Sequence, residues 1–167
     1  LSRKTFLIHR LDRESSGIML VAHNERTAAA LSGLFQNHKI QKFYRTTVQG
    51  HVPLAELPFC INSDIDGKNA ITWINAVTFD ENTHTSNLDI RIETGRKHQI
   101  RRHLAGIGHP VVGDPRYGNP GTLVLQAYKI TYHCPVFNRS RQYNLDDVDL
   151  DALKQAARAN AKALAIE

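Results

Sequence analysis

The chain has 167 residues, 41% hydrophobic and 22% charged, enough for one domain with a substantial core and short for two. No apolar run approaches the roughly 20 residues that span a bilayer, so the composition argues against a membrane role. The formal charge is +5, from 21 Lys and Arg against 16 Asp and Glu, which favours a polyanionic partner if the cations are gathered in one place.

They are unevenly spread. RKHQIRRH, residues 96–103, holds four permanent cations and two histidines, while DDVDLD at 146–151 holds four aspartates. The two cysteines, Cys60 and Cys134, form no CxxC spacing and are read as free thiols of a reducing cytosol. LSRKTFLIHRLDR at the N-terminus lacks the apolar core of a signal peptide, and no lipidation motif is present. The reading is a cytoplasmic protein.

In chain order, TFLIHRLD reads as a short strand entering a loop and GIMLVA as a second, buried strand. From Asn24 as N-cap, NERTAAALSGLFQNHK puts Ala28, Leu31, Leu34, Phe35 and His38 on one helical face. KFYRTTVQG is a β-rich run closed by glycine, HVPLAELPF a proline-containing connection and DIDGKN a turn. Alternation in ITWINAVTF (Ile71, Trp73, Val77, Phe79) and SNLDIRIE (Leu88, Ile90, Ile92) predicts antiparallel strands with one wet face. RKHQIRRHLAGIG has Ile100, Leu104 and Ile107 at helical spacing, with Gly108 as its stop. HPVVGDPRYGNPG is an irregular loop, TLVLQAYKITYH a further strand, and the tail through LDALKQAARANAKALAIE an amphipathic Ala-rich helix.

IHRLDRESSG, residues 8–17, sets Asp12 among His9, Arg10 and Arg13, with small residues after it. Neighbouring cations favour the ionised carboxylate, and a positioned carboxylate can serve as nucleophile or base. An arbitrary Asp beside Arg is more often a surface ion pair or a turn cap. In the basic helix, His98, Arg101, Arg102 and Ala105 share one face, and Arg101 borders the apolar side closely enough to turn inward towards an acid. Arg96, Lys97 and Arg102 are then left for phosphates, beside the N–H groups of a helix start. Tyr44, between Lys42 and Arg45, suits stacking on a nucleobase, although a strand tyrosine alone is usually core.

Nine histidines invite a metal reading, but His98 and His103 fall on different helical faces and there is no HExxH or Cys-rich knuckle. GDPRYGNPG lacks the lysine followed by Ser or Thr of a phosphate-binding P-loop and reads as a rigid turn. No GxSxG is present.

HRLDRESSGIMLVA, KFYRTTVQG and ETGRKHQIRRHLAGIGHPVVGDPRYG, followed by LVLQA, together resemble in this order the RluA-type pseudouridine synthases, over about residues 8–127. The resemblance implies an α+β catalytic fold with a mixed, mostly antiparallel sheet flanked by helices. By it, Asp12 matches the essential aspartate that reacts with the target nucleoside so that uracil detaches, turns and rejoins the ribose through C5. Tyr44 matches the tyrosine that packs on the target base and is implicated in removing the C5 proton. Arg101 matches the arginine paired with the aspartate, and Leu125 an apolar residue lining the pocket, with His9 and Leu11 beside it. Arg10, Arg13, Arg96, Lys97, His98 and Arg102 are the expected RNA contacts.

The implied substrate is a uridine flipped out of an rRNA or tRNA stem-loop, converted by a monomer with no metal or organic cofactor. Family members commonly have Thr where Ser15 stands and His where Gln126 stands. They also usually carry several dozen further residues before HRLD, so residues 1–167 are expected to be one catalytic domain lacking its N-terminal portion, with no S4-type RNA-binding domain. The alternative is a non-catalytic RNA-binding module that keeps the fold. A metal-dependent nuclease would need clustered acids that the sequence does not offer.

Overall fold

The computed structural model of the chain describes residues 4–147. In order the elements are β1 (Phe6–Leu7), β2 (Ser16–Gly17), β3 (Val21–Ala22), α1 (Glu25–Gln36), β4 (Ile40–Gln49), β5 (Phe59–Asn62), β6 (Ile71–Asp80), β7 (Thr85–Ile92), α2 (Gln99–Gly106), β8 (Leu125–Cys134) and β9 (Arg139–Asn144), then a 3-10 turn at Leu145–Asp147. The tail helix expected beyond this turn lies outside the described residues.

The main sheet runs β2-β8-β4-β7-β6-β5, with β9 also paired to β8. Every pairing in it is antiparallel except β2 with β8, so the expected mixed, mostly antiparallel α+β architecture is what forms. β1 and β3 make a separate two-stranded ribbon.

Local chemistry accounts for the helix starts. Asn24 caps α1 by accepting the Thr27 amide at 2.8 Å, satisfying one of the N–H groups a helix start leaves unpaired. At α2 no side chain caps the first turn, and the helix's first residue braces the segment before it instead. Buried Gln99 accepts the Arg96 amide (3.0 Å) and the Thr94 hydroxyl (2.7 Å), and donates to the Ile71 carbonyl (2.9 Å) and Thr72 hydroxyl (3.0 Å). This amide ties the turn before α2 to β6. It also takes the Arg96 N–H, one of the groups expected to be available for phosphate.

One sheet face carries the core. Val48, Ile74, Leu88, Ile90 and Ile92 pack against Ile100 and Leu104 of α2 and against Val111, Leu123 and Leu125 of the long loop and β8. The other face is largely wet, as antiparallel sheets allow.

Three sequence expectations change. GIMLVA is not one buried strand: β2 ends at Gly17, β3 spans two residues, and Met19 and Val21 are exposed. The alternation in ITWINAVTF holds, but the inward residues of its first half are Thr72 and Ile74, not Ile71 and Trp73. A bulge between Ile74 and Ala76 then moves Val77 to the core side, because an extra residue in one strand inverts which face follows it. Finally, Phe59–Asn62 and Arg139–Asn144 are strands the sequence concealed, the first because FCIN is only four residues long behind a proline-containing connection, the second because RSRQYN is polar and weakly alternating.

Candidate active site

Asp12 sits in the turn between β1 and β2, which closes when the Ser15 amide donates to the Asp12 carbonyl at 3.0 Å. The turn is anchored on both sides. Downstream, Gly17 has φ +121° and lies so close to β8 that a Cβ would overlap the Ala127 carbonyl, and the Ile18 amide donates to that carbonyl at 2.8 Å. Only glycine fits there. Upstream, His9 accepts the Leu20 amide on Nε2 at 2.8 Å and stacks on Phe35 at 4.5 Å. Burial, reinforced by the charge of Lys42, lowers its pKa to about 4, so His9 is a neutral prop at ordinary pH.

Arg101 does turn inward, and its side chain is only 2% exposed. Its tightest partner, however, is Asp114, itself fully buried: Nε and Nη2 donate to the two carboxylate oxygens at 2.7 Å each. Asp12 stands 3.9 Å from Nη1, and Glu14 at 3.5 Å. The Arg101 fork is therefore committed to Asp114, and Asp12 receives charge from it without a hydrogen bond. Burial alone would raise the Asp114 pKa, but the Arg101 hydrogen bonds and the Arg116 and Tyr117 amides outweigh it and hold the carboxyl below its usual range.

His98, expected among the phosphate-facing cations, is turned towards Asp12. It precedes α2 in a left-handed conformation, φ 53°, with Nε2 3.9 Å from Asp12 Oδ1 and Nδ1 3.1 Å from the Tyr117 hydroxyl. Its pKa is lowered by burial, partly offset by the charge of Asp12, so the ring is mainly neutral at pH 7. A carboxylate facing Nε2 favours the tautomer protonated there, leaving Nδ1 to accept from Tyr117. Among the described residues, no group donates a hydrogen bond to the Asp12 side chain, which is 21% exposed. It is a carboxylate with the Arg101 charge on one side and the His98 ring on the other, its oxygens left open.

Asp12 borders a cavity of about 560 Å³ whose wall includes His9, Leu11, Tyr44, Ile92, Ile100 and Leu125. The size and the mixed lining suit a single flat heterocycle with its sugar. Tyr44 faces this space from β4, next to the point where the β4–β8 register slips between Phe43 and Tyr44. Burial, with the nearby Asp12 charge, raises its pKa strongly, so it is a phenol, not a phenolate.

On the other side of Asp12, a second hollow of about 520 Å³ is lined by Arg10, Arg13, Lys97, Arg101 and Arg116. Arg10, Lys97 and Arg96 also border the first cavity. Arg102 is less available, since Nη1 contacts both oxygens of Asp66 at 3.0 Å. Among the described residues no group of three or more His, Cys, Asp or Glu is placed to hold a metal ion, and no helix is long and apolar enough to cross a membrane.

Sequence reasoning missed Asp114, Tyr117, Gln99 and Arg116 as parts of the site. For Asp114 a signal existed: an arginine at the edge of an apolar helix face needs a buried acid, and GDPRYG supplies one in a turn where Asp can accept following amides.

Comparison with known proteins gives the family and the fold. The model of a family described as RNA pseudouridylate synthase matches residues 1–106. The chain is 38% identical over 125 residues to the ribosomal large subunit pseudouridine synthase D of Zymomonas mobilis, covering 67% of this chain and 39% of that protein. It is 33% identical over 141 residues to the tRNA pseudouridine synthase C of Haemophilus ducreyi, covering 71% and 58%. The chain thus spans about two fifths of the first relative's length. The structure of human RNA pseudouridylate synthase domain containing 1 superposes with a TM-score of 0.70 at 24% identity, covering 93% of this chain and 81% of that one, a likeness of fold. On the family match and these identities, the chain belongs to the RluA-type RNA pseudouridine synthase family.

Proposed function

We propose that this protein isomerises uridine to pseudouridine in ribosomal or transfer RNA, as a cytoplasmic monomer, with Asp12 as the nucleophile. The observation that carries the reading is Asp12 at the mouth of a cavity sized for one nucleoside, with no hydrogen bond on its carboxylate from the described residues and buried Arg101 behind it.

In this reading the target uridine leaves its helix and enters between Tyr44 and Leu125. Tyr44 replaces some of the stacking that flipping removes. The Asp12 carboxylate forms a covalent bond to the nucleoside as the N1–C1′ bond opens, uracil turns, and as the C5–C1′ bond forms the bond to Asp12 breaks and restores the carboxylate. The proton leaves C5, and N1 ends protonated. Substrate and product are isomers, so no oxidant, reductant or external group is consumed.

The Arg101 charge and the neutral His98 ring bound the position of the carboxylate on two sides, while the committed Arg101 fork leaves its lone pairs for reaction. Tyr44 begins as a phenol partly because Asp12 is charged beside it. Once Asp12 is covalently engaged, that charge is gone and the phenol ionises more readily: it can pass its proton to uracil N1 and, as the phenolate, take the proton from C5. Arg10, Arg13, Arg96 and Lys97 around the mouth suit phosphate contact, which makes binding salt-dependent.

The test is to incubate the purified chain with RNA from cells lacking the gene and to map pseudouridines at nucleotide resolution. At least one uridine converted by the wild-type protein supports the reading. RNA that is bound and left entirely unmodified would favour a non-catalytic binding module instead.

A further inference from the structure

Lys42 lies two residues before Tyr44 on β4, on the same strand face, and lines the same cavity as Asp12. Its surroundings are unusual for a lysine. Nζ is 5.8 Å from the centroid of the Phe35 ring. On another side it meets Gly95, where a Cβ would come within 3.1 Å of it, so the missing side chain makes room for the ammonium. Neutral His9 faces it as well.

Among the described residues Lys42 makes no ion pair and no hydrogen bond through its side chain. Burial lowers its pKa to about 8, and no carboxylate among the described residues forms an ion pair that would oppose it. A partly dehydrated ammonium with no counter-charge is unfavourable. The cavity wall holds Arg10, Lys42, Arg96 and Lys97 against one carboxylate, Asp12, and Asp12 is turned towards Arg101 and His98.

A neutral carbonyl of the base would offset the dehydration only in part, whereas an anion supplies the missing charge. The nucleotide that presents its sugar to Asp12 carries such an anion on that same sugar. We infer that Lys42 is a phosphate-binding residue inside the cavity, holding the phosphate of the flipped nucleotide and so fixing where its ribose stands relative to Asp12. This rests on the uridine reading above and extends it: phosphate recognition is built into the base pocket, beyond the cations at its rim.

The test uses the full chain and four probes: uridine, uridine 5′-monophosphate, uridine 3′-monophosphate and inorganic phosphate. Binding is followed through the backbone amide NMR signals of Lys42, Tyr44 and Gly95. One of the monophosphates is expected to bind roughly tenfold or more tightly than uridine, and the two isomers tell which ester linkage Lys42 meets. Lys42→Met should lower that monophosphate to the level of uridine, and Lys42→Arg should keep most of the preference. Inorganic phosphate is expected to shift Lys42 and Gly95 without moving Tyr44.

Equal binding of uridine and both monophosphates would overturn the inference, as would a Lys42→Met variant that keeps the wild-type preference. A wild-type protein that modifies RNA yet shows either result loses only the Lys42 assignment. Failure of every uridine compound to reach Tyr44 would instead count against the uridine pocket itself.

Discussion

Asp114→Asn is the substitution that asks most of the geometry. It keeps the side-chain shape but removes the charge that two Arg101 hydrogen bonds of 2.7 Å address, and it sets an amide N–H against a guanidinium donor. Both groups are buried, at 2% and 0% exposure. Removing one partner of such a pair leaves an uncompensated charge and costs about 3–5 kcal/mol. For a domain of this size a kcal/mol moves Tm by about 2–4 °C, so a drop of roughly 6–20 °C is expected.

Urea unfolding followed by circular dichroism would measure the loss. There is a catalytic consequence as well. A released Arg101 fork would turn to Asp12, 3.9 Å away, and hydrogen-bond the oxygens that the reaction needs, so kcat should fall in the molecules that remain folded. A stability loss below about 1 kcal/mol would refute the reasoning. So would an equal loss from Asp12→Asn, because the account gives Asp12 no structural hydrogen bond.

Tyr117→Phe removes the partner of His98 Nδ1; kcat should fall several-fold with KM nearly unchanged, and a change confined to KM would contradict the positioning role. His9 is neutral when folded, with its pKa lowered from 6.5 to about 4. The unfolded chain therefore binds more protons between those values, and stability should fall as pH drops from about 6.5 to 4. His9→Gln should flatten that slope in unfolding experiments at successive pH values. Asp114, whose pKa is depressed, contributes stability that is present above the ordinary carboxylate range and lost below it, so its effect appears at more acidic pH. Gly17→Ala forces a methyl into the Ala127 carbonyl at φ +121°; it should destabilise by more than about 1 kcal/mol and reduce activity by displacing the Asp12 turn. Activity and Tm like those of wild type would exclude that anchoring.

Much of this site was legible because it is built from short segments whose residue types have few other uses. IHRLDRESSG gave an acid among cations, the edge position of Arg101 on its helix indicated an inward cation, and Tyr44 stood between basic residues. What could not be read was the identity of partners. Arg101 chooses between Asp12, Glu14 and Asp114 by the path of the loop after α2, which periodicity does not encode. His98 looked like part of a solvated basic face, yet its left-handed backbone points the ring at Asp12. In the fold, the alternation of β6 was visible, but the bulge at Asn75 that inverts its faces arises from pairing with β7. Gly17 stood in the sequence only as one of the small residues after Asp12; its role in letting β2 run alongside β8 depends on a strand more than one hundred residues later.

The central claim is that Asp12 reacts with the nucleoside, and Asp12→Asn tests it most directly. Wild type and variant would be given the same RNA, with pseudouridine mapped and RNA affinity measured side by side. The account predicts that the variant folds with a Tm near that of wild type, binds the RNA, and forms no pseudouridine. An Asp12→Asn protein that still converts the wild-type target would contradict it.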